Sequence, residues 1–310
     1  MRSIETPDVL VVCKARHARA HALGREVLAW LAGRGLDARL CEAGAECASA
    51  ESADVARPPR CVIVLGGDGT ILGVARRFAF SGVPLFGINF GRVGFLTNAE
   101  PCNWRQRLET ALAPETPGRS CLALRWRILR SERTLAEGVA VNDVVVGRGA
   151  LARLTGIHVV LDGCDMGILR CDGLLCCTPV GSSGYSASAG GPILHPGMDA
   201  VGLTPICPYP GSASPLVLPG GVVCRLGVAA STEAWLTVDG QEGQMLEGGD
   251  EVVLSGVPDG VRFLGGARFF ERLRVRGFAL DAEDGGEGRP KCRAGVPPVP
   301  GARGARREGE

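Results

Sequence analysis

The spacing of hydrophobic and polar positions divides the chain into two parts. Up to residue 98, short apolar runs alternate with stretches in which apolar residues recur every three or four positions. This pattern predicts four strands and two helices, with the strands at 8–13, 36–40, 61–65 and 83–89 and the helices at 18–32 and 70–80. Strands that alternate with helices are typical of a doubly wound, Rossmann-like α/β fold, whose parallel sheet binds ligands at the carboxyl ends of its strands.

From residue 121 onward, apolar and polar residues mostly alternate, and glycine-rich turns separate the alternating runs. The clearest of these runs are 122–129, 139–146, 155–161 and 222–228. Alternation with a period of two is typical of antiparallel strands that bury one face. We therefore predict an α/β domain at 1–98 and a mostly antiparallel β domain at 99–267. An amphipathic element at 269–278 follows, and the tail at 281–310 is predicted to be disordered because it has no apolar periodicity.

Composition narrows the classes of function. The 310 residues carry a net charge of +1, which does not suggest a nucleic-acid or membrane surface, and no stretch approaches a membrane span. The 13 cysteines form no C-x-x-C motif, so we expect them to be reduced. The first apolar run is too short for a signal peptide. We therefore expect a cytoplasmic protein without nucleic-acid or membrane partners.

Lysine is nearly absent from the sequence. Lys14 and Lys291 are the only two lysines, and no Gly-Lys pair occurs. The chain therefore lacks a Walker-type phosphate-binding loop. We expect arginine or a metal ion to supply positive charge to any phosphate ligand.

The most informative stretch is the one from Cys61 to Thr70. An apolar, β-branched run ends abruptly at Gly66-Gly67-Asp68-Gly69, and a helical pattern follows from Thr70. Glycines allow a close approach of the backbone to a ligand, and the free N–H groups at a helix start favour phosphate. A carboxylate in such a turn either holds a metal or takes a proton from a nucleophile, the alternative being a tight turn with a solvated Asp68.

Three other polar clusters carry possible chemistry. Asn142-Asp143 interrupts an apolar run. This indicates either a β-bulge or strand end between two short strands, or a pair that hydrogen-bonds the base and hydroxyls of a ligand. The hydroxyl-rich segment 178–188 contains Tyr185, one of two tyrosines, and suits either a nucleotide or a flexible loop. Asp239-Gly240-Gln241 predicts a hairpin turn.

These motifs together resemble the NAD kinase family over residues 8–278. The resemblance rests on segments in a fixed order: Gly66–Thr70, Asn142-Asp143, 172–196, 205–208 and Asp239-Gly240-Gln241. It implies phosphoryl transfer from ATP, with Mg²⁺, to the adenosine-ribose 2′-hydroxyl of NAD, which gives NADP. It also implies that 1–98 binds nucleotide, that 99–267 binds NAD, and that 268–280 returns to the first domain.

The resemblance also implies roles for individual residues. Asp68 is the general base, and Gly69 lies at the nucleotide. The remaining binding residues are Asn142, Asp143, Arg153, Arg170, Asp172, Ser183, Gly184, Tyr185, Ser186, Ala187, Ser188 and Gln241. No protein ligand to a metal is expected, and we expect a homo-oligomer. The chain departs mildly from the family pattern, since Asp143 stands where glutamate is usual and Ser183-Gly184 where threonine and alanine are usual.

Two alternative functions stay open at this point. A lipid kinase of the diacylglycerol type shares the Gly-Gly-Asp-Gly-Thr motif but needs an apolar cleft for its acceptor, and the hydroxyl-rich segment 178–188 argues against that. A non-catalytic dinucleotide-binding protein would keep the binding segments but could lose the base. The presence of Asp68 argues against this second alternative.

Overall fold

The chain folds around two β-sheets. The computed structural model describes residues 7–44, 58–91, 94–113, 116, 118–149, 155–209, 213–229, 233–265 and 269–275. Within these ranges there are sixteen strands, five α-helices and one 3₁₀ turn. The helices are α1 Ala18–Ala32, α2 Asp68–Arg77, α3 Trp104–Leu112, α4 Tyr185–Ser188 and α5 Phe269–Val275. The predicted tail at 281–310 lies outside the described residues.

The larger sheet has ten strands and contains the parallel part of the fold. Its strands are β1 Val9–Cys13, β2 Ala38–Glu42, β3 Cys61–Gly66, β4 Pro84–Asn89, β5 Arg119–Arg130, β6 Arg133–Ala140, β8 Thr155–Leu161, β9 Cys164–Cys171, β13 Cys224–Val228 and β16 Glu251–Phe263. The first four run parallel in the order β2-β1-β3-β4. The residues of β1 and β3 are buried on both faces of the sheet, which explains the continuous apolar runs of these two strands.

The smaller sheet has six strands and is antiparallel throughout. Its strands are β7 Asp143–Arg148, β10 Gly173–Cys177, β11 Ala200–Ile206, β12 Leu216–Pro219, β14 Ala234–Val238 and β15 Glu242–Leu246. Side chains of this sheet and of the antiparallel part of the larger one share a single core. The prediction of an α/β part followed by a mostly antiparallel β part is therefore confirmed.

Strand β16 joins the parallel and antiparallel parts. Its first half pairs with β13 and its whole length pairs with β5, both in antiparallel fashion. Its last residues, Arg262 and Phe263, run parallel to Pro84 and Leu85 of β4. One continuous sheet therefore passes through both halves of the molecule.

Helix α3 packs on the parallel sheet, although the predicted boundary at residue 98 assigns it to the second domain. Trp104 and Leu108 of α3 lie fully buried in the same cluster as Val11 of β1 and Ile63 of β3. Helix α5 also returns to this part of the molecule, as predicted, because Phe269 contacts Phe95 at a ring-centroid distance of 6.5 Å.

Most predicted elements are found, although several of their bounds shift and one predicted run is interrupted. Helix α1 has the predicted bounds, whereas β2 begins two residues later than predicted. Helix α2 begins at Asp68, not at Thr70, because a carboxylate in the first turn interacts favourably with the helix dipole. The run 139–146 is interrupted at Asn142, where β6 has ended and β7 has not yet begun.

Most of the described cysteines match the expectation of a reduced chain. Nine are free, and seven of these are buried among apolar side chains. Cys41 and Cys102 are disulfide-bonded, which is contrary to that expectation. Among the described residues, no helix has the length and apolar character needed to cross a membrane.

Candidate active site

A cleft of about 970 Å³ opens at the carboxyl ends of β1, β2 and β3. This is the edge at which parallel α/β sheets bind ligands. Gly67, Gly69 and Thr70 of the glycine turn line it, as do Trp126 and Glu137 of the β5–β6 hairpin. Lys14, at the end of β1, lines the cleft and is exposed. The sequence predicts that arginine or a metal ion, not lysine, supplies positive charge to phosphate, yet Lys14 places an ammonium group in this cleft.

The Asp68 carboxylate is fixed by a loop that follows β4. Its Oδ2 accepts a hydrogen bond from the backbone N–H of Phe95 at 2.9 Å, and its Oδ1 accepts one from Leu96 at 3.3 Å. Gly94 leaves room for this arrangement, since a Cβ there would lie 1.9 Å from Asp68 Oδ1. Sequence reasoning missed this loop, although Gly94 shortly after an apolar strand was a signal that could have found it.

Gln241 connects the antiparallel sheet to the glycine turn. It belongs to the predicted hairpin turn, which is found between β14 and β15. Asp239 and Gly240 have φ values of 50° and 63°, as a tight hairpin turn requires. The Gln241 side-chain amide donates to the carbonyl oxygen of Gly69 at 2.6 Å. The contact brings two of the predicted binding residues together.

Asp239 occupies the centre of the polar contacts, a role that sequence reasoning missed. Its buried carboxylate accepts hydrogen bonds from the backbone N–H groups of Val141, Asn142 and Asp143, the shortest being 2.7 Å to Asn142. Arg76 of α2 donates to the same carboxylate at 3.1 Å. Asp239 therefore binds the backbone at the start of β7 and, through Arg76, connects it to α2, the helix that begins at Asp68.

Asp143 is the most perturbed acid of the site. Burial, reinforced by the negative charge of Asp239, raises the pKa of the Asp143 carboxyl from 3.8 to about 7. A carboxyl with this pKa changes its charge near neutral pH, as groups at functional sites often do.

Asn142 has one polar atom that no described residue satisfies. Its Oδ1 is buried and accepts no hydrogen bond from the described part of the chain. The turn at Gly181 packs directly on its backbone, because a Cβ on Gly181 would lie 2.0 Å from the Asn142 carbonyl oxygen. Native proteins rarely leave a buried acceptor unsatisfied, so this oxygen is a candidate contact for a ligand.

The hydroxyl-rich segment is ordered, and its side chains divide into two groups. It forms a 3₁₀ turn at Gly181–Ser183 and the short helix α4. The Ser186 hydroxyl points inward and lies 3.2 Å from Thr204 Oγ1, in a buried position. By contrast, the Tyr185 side chain is 49% exposed, and Ser183, Gly184, Ala187 and Ser188 are at least partly exposed.

The other predicted binding residues lie away from Asn142 and Asp143. Arg170 is exposed on β9, and the Asp172 carboxylate lies 3.5 Å from Arg148 Nε. Asp143 pairs with Cys177 at the end of β10 opposite to Asp172. The five residues of β10 separate these two ends by roughly 16 Å. Asp172 and Asn142 therefore do not meet within one chain. Arg153 lies outside the described residues.

The protein side chains offer little to a metal ion on their own. No group of three or more His, Cys, Asp or Glu residues in the described ranges is placed to hold one. Mg²⁺ commonly uses only one or two carboxylates together with the phosphates of a substrate. A single carboxylate such as Asp68, which lies between two glycines that line the cleft, is compatible with this kind of metal binding.

Two family models match the sequence. The ATP-NAD kinase N-terminal domain matches residues 54–116, and the ATP-NAD kinase C-terminal domain matches residues 141–264. Among curated relatives, the NAD kinase of Nitratidesulfovibrio vulgaris strain DP4 is 45% identical over 277 residues, which cover 88% of this chain and 92% of the relative. The NAD kinase of Oleidesulfovibrio alaskensis is 41% identical, covering 92% of this chain and 98% of the relative.

Two solved structures share the fold. A yeast NADH kinase complexed with NADH superposes with a TM-score of 0.73 at 22% identity, covering 89% of each chain. An NAD kinase from Archaeoglobus fulgidus in complex with ATP superposes with a TM-score of 0.70 at 24% identity, covering 88% of this chain and all of the other. At 22% and 24% identity, these two structures show that the fold is shared and nothing further.

Proposed function

Because this chain belongs to the NAD kinase family, we propose that it phosphorylates the 2′-hydroxyl of the adenosine ribose of NAD with ATP, giving NADP. Asp68 acts as the general base in this proposal. The observation that carries it is the position of Asp68 at the first turn of α2, between two glycines that line the cleft. The same carboxylate is oriented by two backbone N–H groups of the 94–97 loop.

The chemistry needs a carboxylate at this point. A ribose hydroxyl is a weak nucleophile near neutral pH, and a base within hydrogen-bond reach removes its proton as the new bond forms. Each carboxylate oxygen of Asp68 accepts one backbone N–H. An ionised carboxylate has about four acceptor positions, so both oxygens keep a lone pair for the hydroxyl.

The cleft suits the phosphoryl donor. We assign the triphosphate to the N-terminus of α2, where unpaired N–H groups favour phosphate, and to the nearby ammonium group of Lys14. Magnesium is part of this substrate and supplies positive charge at the transferring phosphoryl group. Arg76 also lines the cleft, but Asp239 and Glu242 already neutralise its charge, so we assign it a structural role.

The dinucleotide is assigned to the junction of β6, β7 and the segment 178–188. The unsatisfied Asn142 Oδ1 supports this assignment, because an N–H group of the adenine base would satisfy it. Asp143 in its ionised form offers an acceptor for a ribose hydroxyl. Tyr185 presents an exposed ring that can pack on the ligand.

One assay separates this function from the alternatives. The purified protein is incubated with Mg²⁺ and labelled ATP, and with either NAD or diacylglycerol as the acceptor. We expect labelled NADP and no labelled lipid. Transfer of label to diacylglycerol would favour the lipid kinase, and binding of NAD without transfer would favour the non-catalytic protein.

We also propose a cytoplasmic location, which the sequence analysis predicts, and a homo-oligomer. Nine free cysteines among the described residues support a reducing compartment, whereas the disulfide bonds of Cys41 and Cys102 count against it. Light scattering coupled to gel filtration measures the oligomeric state, and a monomer would contradict the second proposal.

A further inference from the structure

Helix α5 reaches the loop that holds Asp68. Arg272 donates through Nη1 to the carbonyl oxygen of Phe95 and through Nη2 to the carbonyl oxygen of Thr97. Phe269, one turn earlier, lies edge-on to the His195 ring at 5.0 Å. The helix therefore lies between the Asp68 loop and the segment that continues from the hydroxyl-rich turn.

A single peptide group connects Arg272 with Asp68. The carbonyl of Phe95 and the N–H of Leu96 belong to the same peptide unit, and the carbonyl accepts from Arg272 while the N–H donates to Asp68 Oδ1. A cation on one end and an anion on the other polarise the peptide in the same sense, so each hydrogen bond strengthens the other. The hydrogen-bonded path from the Arg272 guanidinium to the Asp68 carboxylate therefore passes through a single peptide group.

We propose that Arg272 is a positioning residue for Asp68, which it holds in place through the Phe95–Leu96 peptide. The inference rests on the proposed function, since it assigns Arg272 a part in the same reaction. Arg272 does not touch the substrates in this role, and its effect reaches the reacting atoms only through Asp68.

The anchors of the loop indicate why this contact matters. At its far end, Asn98 accepts from Gly87 N–H at 2.9 Å and donates to the carbonyl of Leu264 at 2.7 Å, which ties that end to the sheet. The part that contacts Asp68 is held by Arg272 on its other side. Loss of Arg272 should loosen the 95–97 part of the loop while leaving the sheet and the Asn98 anchor intact.

The two carbonyl groups also explain the choice of arginine. A planar guanidinium presents several N–H donors in a fixed fork, so one side chain serves Phe95 and Thr97 together. An ammonium group is a compact point charge without this fixed fork, and a lysine would be a partial substitute.

The first experiment compares three variants with the wild type: Arg272→Gln, Arg272→Lys and the matched control Arg274→Gln. Arg274 lies on the same helix and is exposed. For Arg272→Gln we expect kcat to fall about 10- to 100-fold, the cost of a small misplacement of a catalytic group, with KM for NAD and ATP nearly unchanged. Arg272→Lys should be intermediate, and Arg274→Gln should match the wild type.

The second experiment tests whether Arg272 acts through Asp68. In an Asp68→Asn background, Arg272→Gln should cause no further loss of kcat. Equal losses in both backgrounds would overturn the inference, as would an Arg272→Gln enzyme with wild-type kcat. If Arg272→Gln does not fold, Arg272→Lys decides, and wild-type kcat in that variant overturns the inference. A wild type that makes no NADP would refute the proposed function itself.

Discussion

Arg76 Nη1 of α2 lies 3.1 Å from Asp239 Oδ2 in the hairpin between β14 and β15. The Asp239 side chain is completely buried and that of Arg76 is 13% exposed. This pair joins the helix that carries Asp68 to the strand that begins at Asp143. This desolvated ion pair, together with the hydrogen bond from Gln241 to Gly69, therefore sets the relative position of the proposed base and the proposed dinucleotide site.

Asp239→Ala should damage both stability and binding. Removal of one partner of a buried ion pair typically costs about 3–5 kcal/mol, and three backbone N–H groups would also lose their acceptor. We expect a lower midpoint in urea denaturation and a higher KM for NAD. Asp250→Ala is the matched control, because the Asp250 side chain is similarly buried and bonded to Arg130 at 2.7 Å. The Asp250 carboxylate accepts hydrogen bonds from Arg130 and from the Glu247 N–H, and not from the start of β7. An equal rise in KM for both variants would mean that Asp239 acts only through general stability.

Asp143→Asn should change how stability depends on pH. The raised pKa of Asp143 means that the folded state binds a proton more tightly than the unfolded state. The contribution of the Asp143 carboxyl to the free energy of unfolding is therefore fully present below pH 3.8 and is lost as the pH rises through about 7. The free energy of unfolding changes by on the order of 4 kcal/mol over this range. Relative to the wild type, the variant should gain stability between about pH 4 and about pH 7 and level off above that, as measured by urea denaturation at each pH. Parallel curves for the two proteins would contradict the burial of this charge.

Asp68→Asn tests the proposed base. The amide keeps the size of the side chain but cannot accept the ribose proton, so kcat should fall by roughly 10²–10⁴. KM for NAD should change little, because the Asn142 and Asp143 contacts remain. A variant that loses NAD binding and keeps its rate per bound substrate would make Asp68 an anchor for the ligand.

Gly94→Ala should displace the same carboxylate without changing it chemically. The added methyl group would lie 1.9 Å from Asp68 Oδ1, so either the loop or the Asp68 side chain must move. We expect a clear loss of kcat in the NADP assay. Gly91→Ala is the matched control, since the nearest atom to its new methyl group, Asn89 Oδ1, is 3.8 Å away. Similar activities for the two variants would show that the loop tolerates the shift.

Local patterns in the sequence predicted the elements well. Helix α1 was predicted to the residue, because its apolar spacing and its closing glycine are local signals. The turn at Asp68 and the hairpin at Gln241 were also found from local glycine patterns. These features depend on residues within a few positions of one another, which is the information that a pattern holds.

Contacts between distant segments could not be predicted in the same way. Asp239 accepts N–H groups from residues nearly a hundred positions earlier, and Arg272 contacts a loop still further away in sequence. The inward orientation of Ser186 depends on Thr204, a residue of another strand. Nothing in the composition of these segments distinguishes such partners from ordinary surface polar residues.

The shared sheet has a consequence for how the protein is made. Strand β4 has β16 as its neighbour, and β16 is the last in sequence of the strands that the structure describes. Until then the edge of β4 exposes unpaired backbone groups, which are a template for aggregation. This edge of the parallel sheet therefore stays unpaired until β16 has been synthesised. Its closure depends on slow pairing between two strands that lie far apart in sequence.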